Sequence, residues 1–111
     1  MTDWKRNLKM ENKILTLLGF AKKSGNLISG ENTCEIYVKK KKVKLLIIVE
    51  DASENTFDKM EKLSTKYGVK YVVFGKREEL SSAIGSHNRT CFGILDNNFK
   101  NKILEQLDVV D

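Results

Sequence analysis

Two adjacent carboxylates, Glu50 and Asp51, follow the most apolar run in the chain, Leu45-Leu46-Ile47-Ile48-Val49. Paired acids in that position could hold a divalent cation or act as acid and base. Either use needs a second acidic cluster at another strand end, and none is placed for it. Helix capping and a salt link to nearby lysines are the roles expected instead. The one histidine, His87, lies between Ser86 and Asn88 and reads as a surface residue. Cys34 and Cys91 form no Cys-x-x-Cys and, with one histidine, fall short of a zinc set. They read as two reduced, buried thiols.

Gly30-Glu31-Asn32-Thr33 points to binding rather than catalysis. It opens a helix, and a helix start exposes free backbone N–H groups and a positive dipole end, which suit a phosphate or a base edge. Gly30 permits close approach of another backbone. Asn32 carries a donor and an acceptor and can read a base edge. The competing use is ordinary capping by Asn32 or Thr33. No Gly-Lys-Ser/Thr follows, so this is not a P-loop.

Charge distribution supports a polyanion partner. The net charge is +5, but residues 1–44 carry 11 Lys/Arg against 4 Asp/Glu, while the remainder carry 9 against 11. The alternative is a solvated lysine surface. No run of roughly 18 apolar residues is present, so no membrane span is expected. Met1 to Met10 lacks an apolar signal core, so export is not expected and the location reads as cytoplasmic.

The elements that must position these residues alternate. Residues 1–11 read as a loose polar tail with Trp4 as its apolar anchor. Ile14, Leu17, Leu18 and Ala21 have the spacing of an amphipathic helix over about Asn12 to Lys23, stopped at Ser24-Gly25. A short strand, 26–29, leads through Gly30 to a helix over 31–41 with Cys34, Tyr37 and Val38 inward and Ile36 exposed. Leu45 to Val49 reads as a strand buried on both faces. Ser53 caps a third helix with Phe57, Met60, Leu63 and Tyr67 inward, closed by Gly68. A strand over 69–74, a short helix with Leu80, Ala83 and Ile84 inward, a polar loop over 86–90 and a strand over 91–95 follow. Asp96-Asn97-Asn98 caps a last helix with Phe99, Ile103 and Leu107 inward. The sum is one domain over 12–108, a three-layer α/β/α sandwich around a mixed, mostly parallel sheet of about four strands. Ligands of such sheets gather at the carboxyl ends of strands, beside Glu50 and Asp51.

In this order the chain resembles the kink-turn RNA-binding ribosomal proteins of the L7Ae and L30e superfamily, in particular their bacterial YlxQ-type branch. The resemblance spans about Asn12 to Leu104. It is carried by Leu17-Leu18-Gly19-Phe20-Ala21, by Ser29-Gly30-Glu31-Asn32, by Lys44 through Thr56, by Arg77-Glu78-Glu79-Leu80 with Ala83-Ile84-Gly85, and by Arg89. It implies a non-catalytic protein without a cofactor, binding structured RNA, kink-turn-like or ribosomal, and associated with the ribosome or another ribonucleoprotein. The implied contact regions are Gly30, Glu31, Asn32 and Thr33; Glu50, Asp51 and Ala52; and Asn88, Arg89 and Thr90. The family's motif has Glu where this chain has Thr33 and Lys where it has Ile36. Ile36 either packs on a base or sugar, or marks a surface for another RNA shape or a protein. Replacement basic charge is expected from Lys39, Lys40, Lys42 and Arg89. The second reading is a protein-interaction module that has lost kink-turn recognition.

Overall fold

A computed structural model describes the backbone of residues 3–107 and the side chains of residues 12–107. Five helices alternate with four strands: α1 (Asp3–Lys23), β1 (Leu27–Ser29), α2 (Glu31–Lys39), β2 (Leu45–Ile48), α3 (Glu54–Tyr67), β3 (Lys70–Val73), α4 (Arg77–Ala83), β4 (Cys91–Ile94) and α5 (Asn97–Gln106). α1 differs from its sequence reading. Its backbone is helical from Asp3, where a loose tail was expected, because the apolar spacing that marked the helix in sequence begins only at Ile14. The expected anchor, the Trp4 side chain, lies outside the described residues.

The strand order is β1-β4-β2-β3. β2 and β3 pair in parallel, whereas β4 is antiparallel to both β1 and β2. Three strands therefore point one way, and the reversed β4 sits between two of them. Alternation through the sheet then divides the core. Leu45 and Ile47 of β2, with Phe92 and Ile94 of β4, face Ile14, Leu18, Leu80 and Ile103 from α1, α4 and α5. Leu46 and Ile48, with Cys91, face Cys34, Val38, Met60 and Leu63 from α2 and α3. All four β2 side chains are fully buried, as two covered faces require.

The helix ends follow local chemistry. The Ser53 hydroxyl accepts from the Thr56 N–H, and the Asp96 side chain accepts from the Phe99 N–H. Gly68 closes α3 in the left-handed conformation. Gly19 carries no side chain because a Cβ would come within 3.2 Å of the Ala83 carbonyl of α4.

Strand direction creates the functional edge. The carboxyl ends of β1, β2 and β3 lie beside the amino end of the reversed β4. The Gly30 N–H donates to the Cys91 carbonyl at 2.9 Å, and the Val49 N–H to the Thr90 carbonyl at 3.0 Å. One rim thus gathers Gly30 to Thr33, Glu50 to Ala52, and Asn88 to Thr90.

Candidate nucleic-acid interface

Gly30 is the N-cap of α2, with φ 96° and ψ 150°, a region that side-chain-bearing residues avoid. It provides no side-chain cap, and the first intrahelical bond runs from the Cys34 N–H to the Gly30 carbonyl. The amides of Glu31, Asn32 and Thr33 precede that bond and are the free donors of the helix start. The expected alternative, capping by Asn32 or Thr33, is not what the structure has. Asn32 is solvent-exposed, and its side-chain amide has no partner among the described residues.

Arg89 completes this corner. A Cβ on Gly30 would stand 3.2 Å from Arg89 Nη1, so the guanidinium lies directly over the glycine. The Arg89 backbone is fixed from beneath. Its N–H donates to the buried Ser81 hydroxyl at 2.8 Å, and that hydroxyl donates to the Arg89 carbonyl at 3.3 Å. Its guanidinium pairs with no carboxylate among the described residues.

The acids around it are already engaged. Glu31 accepts from the Thr56 hydroxyl at 3.0 Å and meets Lys59 at 3.8 Å. Glu50 accepts from the Gly75 N–H at 3.1 Å and pairs with Lys76 at 3.5 Å. Asp51 accepts from the Arg77 N–H at 2.9 Å, at the start of α4. The expected capping and salt-link roles of Glu50 and Asp51 are those found. Ala52 is half-buried against both cores. Glu31, in the first turn of α2, and Glu50 pair with lysines, Asp51 is bonded to a backbone amide, and Arg89 has no carboxylate partner among the described residues.

A cleft of 370 Å³ opens here, lined by Gly30, Glu31, Ser53, Thr56, Arg77, Asn88, Arg89 and Thr90. Two of the three predicted rim segments line it, through Gly30 and Glu31 and through Asn88 to Thr90; Glu50, Asp51 and Ala52 do not, and Ser53 and Thr56 stand there instead. Arg77 and Ser81 are the residues that sequence reading left without a role. Arg77 Nη1 donates to Asn88 Oδ1 and Nη2 to the Asp51 carbonyl, both at 3.0 Å. Asn88 itself is left-handed, at φ 54°. No periodicity could reveal these bonds, which join residues far apart in the chain.

Lys39 and Lys40 stand apart from this corner. They lie at the other end of α2, about 12 Å along its axis from Asn32 at 1.5 Å per residue. Asn32, Ile36 and Lys40 are spaced by four and share the solvent face. Ile36 is 51% exposed, as expected. Lys39 pairs with Glu35 at 3.0 Å, and Lys59 reaches the same carboxylate at 3.3 Å. Hydrogen bonds from Lys39 and then Lys59 hold the Glu35 carboxyl below its usual range, and Glu35 in turn raises the Lys39 ammonium. Lys39 is thus partly compensated, whereas Lys40 and Lys42 are exposed. His87 is exposed in the loop before β4.

Cys34 and Cys91 are free thiols, both fully buried. Burial raises both, and each raises or is raised within one apolar pocket: the Cys91 charge is the second cause of the Cys34 shift.

Comparison with known proteins bears on the whole arrangement. The sequence profile described as Ribosomal protein L7Ae/L30e/S12e/Gadd45 family matches residues 12–105. RNA-binding protein YlxQ of Enterococcus faecium is 34% identical over 96 residues, covering 86% of this chain and 92% of that protein. RNA-binding protein YlxQ of Bacillus subtilis (strain 168) is 33% identical over 92 residues, covering 83% and 92%. A solved structure of a protein with unknown function from Bacillus halodurans C has a TM-score of 0.82 at 33% identity, covering 86% of this chain and 97% of that one. The Giardia lamblia 15.5kD RNA binding protein has a TM-score of 0.75 at 20% identity over 90% and 86%, a likeness of fold. The matched residues run from α1 into α5 and include every strand and the whole rim, so the chain belongs to the ribosomal protein L7Ae/L30e/S12e/Gadd45 family, alongside its bacterial YlxQ members.

Proposed function

We propose that this chain is a non-catalytic RNA-binding protein that grips a bent, kink-turn-like RNA in the cytoplasm, as part of the ribosome or another ribonucleoprotein. The observation that carries this reading is the Arg89 guanidinium, free of acids, lying over Gly30 beside the three open amides of α2. A phosphate held there meets a guanidinium and a helix dipole together. Asn32 offers its free amide to a base edge one turn away. The exposed face of α2 continues the track: Ile36 supplies an apolar surface for a sugar or base, and Lys40 a further phosphate contact. Thr33 replaces the family's Glu and has one hydroxyl where that residue has two acceptor oxygens, so guanine recognition is weaker here. The RNA names of the YlxQ relatives support the partner class.

Titration with a kink-turn RNA and with a plain duplex of equal length, at several salt concentrations, tests this. Kink-turn RNA binds more tightly, and Arg89→Ala lowers the slope of log affinity against log salt by about 1. No association with either RNA at low ionic strength refutes the reading. A second reading, a protein-interaction module, rests on Ile36, whose exposed side chain is out of place on a purely electrostatic face. Pull-down after nuclease treatment separates them, because RNA-bridged partners vanish.

A further inference from the structure

The Arg77 side chain spans the gap between two rim segments, and both of its terminal nitrogens donate to the protein. From the start of α4 it donates through Nη2 to the Asp51 carbonyl, after β2, and through Nη1 to Asn88 Oδ1, before β4. Its own N–H is held by Asp51 Oδ1 at 2.9 Å. Arg77 thus donates twice to Asp51, once from its backbone and once from its side chain, and Asn88 is tied to the pair. Asn88 needs the tie. It sits at φ 54°, a conformation that non-glycine residues hold only when their surroundings fix it. It also precedes Arg89 directly. The bridge forms a wall shared by two clefts: the one beside Gly30, and a polar cleft of 700 Å³ that includes Ser82, Ser86 and His87.

We infer that Arg77 is a positioning residue for RNA recognition: its forked guanidinium sets the spacing between the Asp51 and Asn88 segments and so aims Arg89 over the α2 start. The inference rests on the reading above. Arg77 acts through Asn88 and Arg89 and makes no phosphate contact itself. A planar fork is required, because two acceptors on different segments must be met at once, which an ammonium on a flexible stem does poorly. The spacing matters most to a bent RNA, which engages the rim at several points. A plain duplex, held by phosphate attraction alone, is less sensitive to it.

The full-length chain is tested as wild type, Arg77→Ala, Arg77→Lys, Asn88→Ala and the double variant Arg77→Ala/Asn88→Ala, against the kink-turn RNA and the plain duplex. Arg77→Ala is expected to weaken kink-turn binding roughly fivefold, the worth of one net hydrogen bond. Duplex affinity stays at the wild-type value, and any fall in the kink-turn salt slope is absent when Arg77→Ala is made in the Arg89→Ala background. Arg77→Lys keeps the charge but does not restore kink-turn affinity, and the double variant is no weaker than Arg77→Ala. Amide hydrogen exchange at Arg89, whose N–H is held by the Ser81 hydroxyl, quickens in Arg77→Ala. The inference is overturned if Arg77→Ala lowers the salt slope by about 1 in the Arg89→Ala background, where only a direct Arg77 phosphate contact could lower it. Full rescue by Lys, equal loss on both RNAs, or additive losses in the double variant also overturn it. Wild type that binds neither RNA refutes the RNA reading itself. Wild-type binding with Arg77→Ala unchanged refutes only this role.

Discussion

Gly30→Ala probes the corner on which the functional reading depends. At φ 96° and ψ 150° the residue occupies a region open essentially to glycine, where another residue costs about 1–3 kcal/mol. A smaller term acts in the other direction. Alanine restricts the unfolded chain and returns about 0.4–1 kcal/mol. At the middle of both ranges, about 2 against about 0.7 kcal/mol, the net loss is about 1.3 kcal/mol. For a domain of this size each kcal/mol lowers the thermal midpoint by about 4–8 °C. The contact with Arg89 adds little, because the atom 3.2 Å from the new Cβ is the far end of a flexible side chain. Thermal and urea unfolding of Gly30→Ala, with and without Arg89→Ala, separate the two causes. A backbone cause leaves the loss unchanged in the Arg89→Ala background. A midpoint within about 1 °C of wild type, or a loss that vanishes without Arg89, refutes the strain argument.

Other consequences do not depend on the Gly30 backbone conformation. Ser81→Ala removes the buried hydroxyl that holds the Arg89 N–H and carbonyl; it should cost about 1–3 kcal/mol in urea unfolding and weaken RNA binding with it. Ser64 is fully buried in α3 and its hydroxyl is without a partner, so Ser64→Ala should raise stability by about 0.5–1 kcal/mol, read from the urea midpoint. Burial pushes the Cys91 thiol up from an ordinary 9.0 to about 11, with the Thr90 hydroxyl opposing, and Cys34 rises as well. The folded chain then keeps protons that the unfolded chain loses, so stability is full below about pH 9 and declines as pH rises toward about 11 and beyond. Chemical denaturation across that window should show the decline, and a thiol reagent at neutral pH should label neither cysteine until the chain unfolds.

The sequence by itself determined the elements, because each rests on neighbours in the chain. The spacing of Ile14, Leu18 and Ala21 made α1, the Ser53 and Asp96 caps started α3 and α5, and an unbroken apolar run made β2. It marked Gly30 and left Ile36 exposed for the same reason: helical period and backbone freedom are local. It lost the beginning of α1, where no apolar stripe marks the helix. It offered Lys39 and Lys40 as basic charge for the RNA face without placing them relative to Gly30, because charge counting carries no coordinate. Only tertiary structure decided that β4 runs backward between β1 and β2. That reversal brings Asn88 to Thr90 beside Gly30 and turns a lone arginine into the cover of a helix start. The bonds from Arg77 to Asp51 and Asn88, and from Ser81 to Arg89, follow from it. Hydrogen bonds between distant residues depend on strand order, and strand order depends on how whole layers bury their faces, which no short window of sequence contains.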